Sequence, residues 1–173
     1  YNRLMDGDVV SIGASDWTII VGRGHSPEHA CLFNAERNVV IAGDQILPTI
    51  SSNVSVYPTE PNANPLKDWL ESLAALKERL PEDVLVLPAH GKPFRGAHYR
   101  LDALIEEHTD GLTKLLELCS EPRRAIDVFP ALFKSEISDS NLIMATGESI
   151  AHLSYLVAEG TLAVETDDNV LWY

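Results

Sequence analysis

The feature that most constrains this 173-residue chain is an uninterrupted apolar run, Val84-Leu85-Val86-Leu87, ending at Pro88-Ala89-His90-Gly91. A strand that alternates apolar and polar residues needs cover on one face only, whereas a strand apolar throughout needs layers on both faces. The segment before it offers one such layer. Asn64 and Pro65 stand as N-cap and first helical residue, and Leu66, Trp69, Leu70, Leu73, Leu76 and Leu80 recur at helical spacing, predicting a helix over 65–80 whose stripe is core. Further upstream, residues 9–12 and 17–21 flank the turn residues Gly13-Ala14-Ser15-Asp16, and residues 30–33 and 39–42 flank the polar segment 34–38. Both read as β-hairpins. Strand and helix alternate after them, so the expected class is α/β.

Residues 45–64 carry Pro48, Pro58 and Pro61 among Ser, Thr and Asn with little periodicity, which predicts a long ordered loop or lid. From 97 to 119, Leu101, Leu104, Ile105, His108, Leu112, Leu115 and Leu116 trace one face of an amphipathic helix. The remainder predicts a short helix at 122–133, a helix from 140 to 159 stopped by Gly160, and a hairpin with strands at 161–166 and 169–173 around Asp167-Asp168. Helix, helix and two-stranded wing is the winged-helix order. The expected organisation is therefore two domains, 1–96 and 97–173. His98, His108 and His152 fall on helices and are expected to be surface or helix-packing residues.

The net charge of −13 disfavours nucleic acid, because non-specific affinity for phosphate backbones comes from Lys and Arg displacing counterions. The helix over 140–159 contains no Lys or Arg, which counts against a groove-reading role for the tail. No apolar run approaches the ~20 residues that span a bilayer. Cys31 and Cys119 sit in apolar stretches and are expected to be reduced, buried thiols, with a cytoplasmic location as the default. The chain opens at Tyr1 without an initiator Met and is read as a fragment of something longer.

Three segments pair a metal-ligand residue with backbone-permissive neighbours: Gly24-His25-Ser26-Pro27-Glu28-His29, Gly43-Asp44-Gln45 and Pro88-Ala89-His90-Gly91. Each sits at a predicted strand end. Antiparallel pairing brings the start of the second hairpin, with His25 and His29, to the same sheet edge as its end, with Asp44. His90 follows a buried strand, and sheet order alone decides whether it joins them. Imidazole and carboxylate suit zinc, iron or manganese, and a carboxylate can bridge two cations; the types fit metal-assisted hydrolysis.

The order of Asp6-Gly7-Asp8, Ile12-Gly13, Trp17-Thr18-Ile19-Ile20-Val21, Gly24-His25-Ser26-Pro27-Glu28-His29, Gly43-Asp44 and Pro88-Ala89-His90-Gly91 resembles the later motifs of the metallo-β-lactamase superfamily. The likeness covers roughly residues 4–95 and implies half of an αββα sandwich. The tail resembles the winged-helix-like extension of some of the family's hydrolases. By motif, the resemblance implies that His25 binds a first metal, Asp44 bridges two and serves catalysis, and His90 binds the second, with two zinc ions in the complete protein and iron or manganese as alternatives. The chain departs from the pattern in reading Gly22-Arg23-Gly24-His25, and in Glu28 where a glycine is commoner before the second His. More consequentially, no HxHxDH segment occurs in the 173 residues. Three ligands spread over two cations leave two each, fewer than the three usual at a catalytic zinc. The isolated chain is therefore expected to bind metal weakly or not at all and to hydrolyse little.

His29 is expected to orient or support the ligands rather than bind metal, since metal-bound imidazoles need outer partners. Asn53 and Tyr57, in the loop after Asp44, are candidates for substrate contact. The acidic charge favours a small ester, thioester or lactone over nucleic acid. The alternatives are a winged-helix nucleic-acid-binding module and a non-catalytic dimerisation module. Half of a sandwich should leave one apolar sheet face open, predicting a homodimer or pairing with a missing half.

Overall fold

In the computed structural model, which describes residues 2–173, the two hairpins and the apolar run join one sheet. β1 (Val9–Ile12), β2 (Ser15–Gly22), β3 (His29–Asn34) and β4 (Val39–Gly43) pair antiparallel in chain order. β5 (Leu85–Pro88) adds to β4 in parallel, giving the order β1-β2-β3-β4-β5. A parallel neighbour requires a crossover, supplied here by the chain that includes α1 (Pro65–Arg79). The first hairpin is tighter than its turn residues suggest. Ile12 pairs with Ser15, so Gly13 and Ala14 alone make the turn, and Ser15 and Asp16 belong to the strand.

The chain divides into two compact units, one made of the residues up to Ser52 with Asp68–Ile105, the other of Asn53–Lys67 with Glu106–Tyr173. In the first unit, pairing puts Ile20 with Cys31, and Phe33 with Val40 and Val86, on one sheet face; Ile20, Cys31, Val40, Ala42 and Val86 are all buried. The opposite face is less covered. Leu32, Ile41 and Leu87 form a row across β3, β4 and β5 in which Ile41 is 40% exposed and its two neighbours are half-buried. The stripe Trp69, Leu73 and Leu76 of α1 is fully buried, as its spacing predicts. Asn64 caps this helix, its Oδ1 accepting the Lys67 amide at 3.3 Å.

α2 (Ala97–Leu118) begins in the first unit, where Ala97, Leu101 and Leu104 are buried, and ends in the second, where Leu112 and Leu115 are buried. In the second unit the helix expected at 122–133 shrinks to α3 (Phe129–Leu132). The reason is tertiary: the backbone N–H and C=O of Arg123 are both taken by Tyr173, and Asp127 folds a local turn back on Arg124. α4 (Leu142–Ala158) precedes a ribbon of β6 (Glu165–Asp167) and β7 (Val170–Trp172). Its turn is Asp168-Asn169, one residue later than expected, with positive φ at both positions, the signature of a type I′ turn. No helix among the described residues is long and apolar enough to cross a membrane.

Candidate metal centre

Sheet order settles where the three motif segments meet. Gly22 pairs with His29 at the β2–β3 end, and β4 runs alongside to Gly43, so the His25–His29 loop and Asp44 share one edge. Because β5 is parallel to β4, its C-terminal end lies at that same edge. A register shift between Ile41 and Gly43 sets Gly43 opposite Pro88, and the Ala89 amide donates to the Gly43 carbonyl at 2.9 Å. Irregularities of this kind re-aim side chains at strand ends.

His25, Asp44 and His90 converge. Asp44 Oδ2 lies 3.9 Å from His25 Nε2, and Asp44 Oδ1 lies 3.4 Å from His90 Nε2. Each carboxylate oxygen thus faces a different imidazole. The two imidazoles differ in setting: the His90 side chain is 68% exposed and that of His25 29%.

Support for Asp44 comes from beneath and behind. Gly43 has a φ of +55°, and a Cβ there would lie 2.4 Å from His29 Nε2, so the His29 ring packs directly on the residue before Asp44. His29 also hydrogen-bonds the Ala42 carbonyl. Its pKa lies below the ordinary histidine value, chiefly because burial penalises the cation, with His25 adding to the shift and Asp44 and Ala42 opposing it. His29 stands 6.1 Å from His25, ring centre to ring centre, at 61°. Ser52 Oγ donates to the Asp44 carbonyl, and the Gln45 amide donates to the Ala42 carbonyl at 3.0 Å. Gln45 itself is fully buried, with its side chain against Gly22.

The donor set fits part of a metal centre. Two ligand atoms bound to one zinc at 2.0–2.1 Å in tetrahedral geometry stand roughly 3.3 Å apart, which the 3.4 Å between Asp44 and His90 matches and the 3.9 Å between Asp44 and His25 exceeds. Yet among the described residues no group of three or more His, Cys, Asp or Glu side chains is placed to hold a single ion. The geometry is thus two donor pairs that share Asp44, His25 with Asp44 and Asp44 with His90.

Asn53 and Tyr57 belong to the second unit. Asn53 Nδ2 donates to Glu148 Oε2 at 2.8 Å and its Oδ1 accepts from Ser55 Oγ at 2.7 Å, while Tyr57 is 52% exposed. Sequence reasoning missed what surrounds Asn53. His108 Nδ1 and His152 Nε2 lie 3.0 Å apart in a buried pair, and His152 Nδ1 lies 2.8 Å from the Glu148 carbonyl. A carbonyl only accepts, so His152 carries its proton on Nδ1 and presents Nε2 to the N–H of His108. Burial, reinforced by the neighbouring His152, holds the His108 pKa far below the ordinary value, and burial does the same to His152 against the pull of its carbonyl partner. The helical positions of these histidines left surface and packing roles both open; nothing in the one-dimensional pattern announced that His108 and His152 pack on each other.

Comparison with known proteins gives the site a context. Residues 2–90, just over half of the chain, match the metallo-beta-lactamase superfamily. The chain belongs to that superfamily. Residues 112–173 match the metallo-beta-lactamase-like C-terminal domain. Among solved structures, the chain is similar to a beta-lactamase domain protein from Burkholderia ambifaria, with 43% identity and a TM-score of 0.95 over all of this chain and 52% of that one. It is also similar to a metallo-beta-lactamase family protein from Thermus thermophilus, with 28% identity and a TM-score of 0.85 over 98% of this chain and 53% of that one. An uncharacterized protein of Aquifex aeolicus is 30% identical over 88 residues, 51% of this chain and 39% of that protein. The chain therefore spans about half the length of the solved relatives and less of the Aquifex protein.

Proposed function

We propose that this metallo-beta-lactamase superfamily chain carries one side of a dinuclear metal centre, and that the whole protein is a metal-dependent hydrolase of a small ester, thioester or lactone. The observation that supports it is the Asp44 carboxylate with a different imidazole facing each oxygen, His25 at 3.9 Å and His90 at 3.4 Å. In this reading His25 and His90 would each hold one cation and Asp44 would contribute to both, with zinc the first expectation and iron or manganese alternatives. The cations, when bound, supply a nucleophile from water at neutral pH and polarise the attacked carbonyl. The chain's own residues hold them: His29 props the Gly43-Asp44 turn, and Ser52 pins the Asp44 carbonyl. Tyr57 is the more available of the two substrate-contact candidates, since both ends of the Asn53 amide have partners within the second unit.

Two protein donors per cation fall short of the three usual at catalytic zinc, so the isolated chain is a weak metal binder and a slow catalyst. Calorimetric titration of zinc into the 173-residue chain tests this directly; tight uptake of two ions would refute it. In a protein that supplies the remaining donors, Asp44→Asn should lower ester, thioester or lactone hydrolysis at least ~100-fold, because loss of even outer partners costs roughly 10–100-fold. Undiminished hydrolysis in that variant would end the hydrolase reading.

A second reading concerns assembly. The half-open row Leu32, Ile41 and Leu87 favours cover by a second copy or by further chain. Sedimentation of the isolated chain checks it, a stable monomer at micromolar concentration being the adverse result. The second unit we read as winged-helix-like from its order of helix, helix and ribbon, with packing or assembly rather than nucleic acid as its role.

A further inference from the structure

We propose that Arg100 is a positioning residue for the His90 side of the site, acting through Pro48; the inference rests on the metal-centre reading above. Most of the His90 side chain is exposed, so its place is set by the backbone turn that bears it rather than by packing of the ring. That turn has two supports. One is the hydrogen bond from the Ala89 amide to the Gly43 carbonyl. The other is Pro48: a Cβ at Gly91, where φ is +86°, would lie 2.6 Å from Pro48 Cγ, so the turn and the proline ring touch with no room between them.

Pro48 lies within the loop that follows Asp44, and Arg100 fastens that loop on both sides of it. Arg100 Nε donates to the Leu47 carbonyl at 2.6 Å and a terminal guanidinium nitrogen donates to the Ile50 carbonyl at 2.9 Å. Two donors in one rigid plane fix an orientation, which a lysine ammonium on a flexible stem does not. At its root the loop is closed by Ser52 Oγ on the Asp44 carbonyl. One side chain at the start of α2 therefore holds a loop that carries Asp44 at its beginning and props the His90 turn at its middle. The 3.4 Å spacing between Asp44 and His90 depends on that loop keeping its shape.

The test is amide exchange in the metal-free protein, followed at Gln45, bonded to the Ala42 carbonyl, and at Ala89, bonded to the Gly43 carbonyl, with zinc calorimetry on the same variants. Arg100→Lys should accelerate exchange at both amides, and weaken zinc uptake about tenfold, the lower end of what loss of an outer partner costs. Asp102→Asn, on the same helix as Arg100, removes the charge that pairs with Lys77 and should change neither. Pro48→Ala should by itself accelerate exchange at Ala89, which keeps the question open to experiment if Arg100→Lys does not fold. Adding Arg100→Lys to Pro48→Ala should then produce no further change at Ala89, an outcome that general destabilisation would not give. Wild-type exchange at Ala89 in Arg100→Lys, or additive effects of the two substitutions there, would overturn the proposal. If the wild-type chain takes up no measurable zinc, as two donors per cation allow, the exchange results alone decide the positioning role, and the metal reading is judged by Asp44→Asn in the protein that supplies the remaining donors.

Discussion

A carboxylate between two imidazoles is only as useful as the backbone that aims it, and here the aiming falls on residues of little chemical interest. Gly91→Ala places a Cβ against Pro48 and forces a positive φ on a side chain. Holding a non-glycine residue in such a region costs of order 1–3 kcal/mol, so denaturant unfolding of this variant should show a loss of at least ~1 kcal/mol. At the other extreme, Cys31 is set for inertness. Burial pushes its thiol up to about 12, with Arg79 opposing only weakly, so the reactive thiolate is scarce at neutral pH. Iodoacetamide at mildly alkaline pH should leave Cys31 unmodified in the folded protein and label it after unfolding; rapid labelling in the native state would mean that the sheet face bearing it opens readily.

The elements owe their stability to faces rather than to propensity. α1 is the clearest case: Trp69, Leu73 and Leu76 are buried within its stripe, and Arg23 reaches the helix by donating its amide to Ser72 Oγ at 2.8 Å. Leu73→Ala should cost about 2–5 kcal/mol, the range for a buried leucine that leaves a cavity, measurable as a fall in unfolding free energy without a change in the shape of the transition. Asn64→Ala removes the N-cap acceptor of the same helix. That loss should be smaller, about 1 kcal/mol, and a larger one would mean that Asn64 serves the loop before it as well. The sheet shows the same economy. Parallel addition of β5 to β4, with its register shift at Gly43, brings His90, just beyond the apolar strand, beside Asp44.

For the molecule as a whole, the buried polar cluster of the second unit contributes to how stability responds to pH. Burial first, then the nearby Glu107, raises the Glu148 pKa to about 7 from 4.5, against the opposing hydrogen bond from Asn53. The folded state therefore holds a proton that the unfolded state has released, and this contribution is full below pH 4.5 and lost as pH rises through about 7. His108 and His152 act with the opposite sign. Their folded pKa values lie below 6.5, so their contribution is full above that value and lost as pH falls. Glu148→Gln should thus gain stability relative to the parent on going from mildly acidic to mildly alkaline pH, by urea unfolding on either side of the raised pKa. An unchanged pH profile would show that the carboxyl titrates normally. His152 sits one turn along α4 from Glu148 and bonds its carbonyl, so both effects report on one small region.

The amino-acid sequence by itself determined most of the local elements and nominated the candidate site residues. Alternating apolar runs, the Asn64-Pro65 start and the glycine-flanked His25, Asp44 and His90 are all written in short windows, where periodicity and turn chemistry act. What it left undecided are relations between windows. Whether His90 joins Asp44 depends on β5 adding to β4 rather than elsewhere; whether 122–128 is helical depends on Arg123 finding Tyr173; whether Arg100 is a surface charge or a clamp depends on two carbonyls, of Leu47 and Ile50, far back in the chain. Contacts between distant segments are selected by packing and by the need to satisfy buried polar groups, and those conditions exist only once the chain has folded.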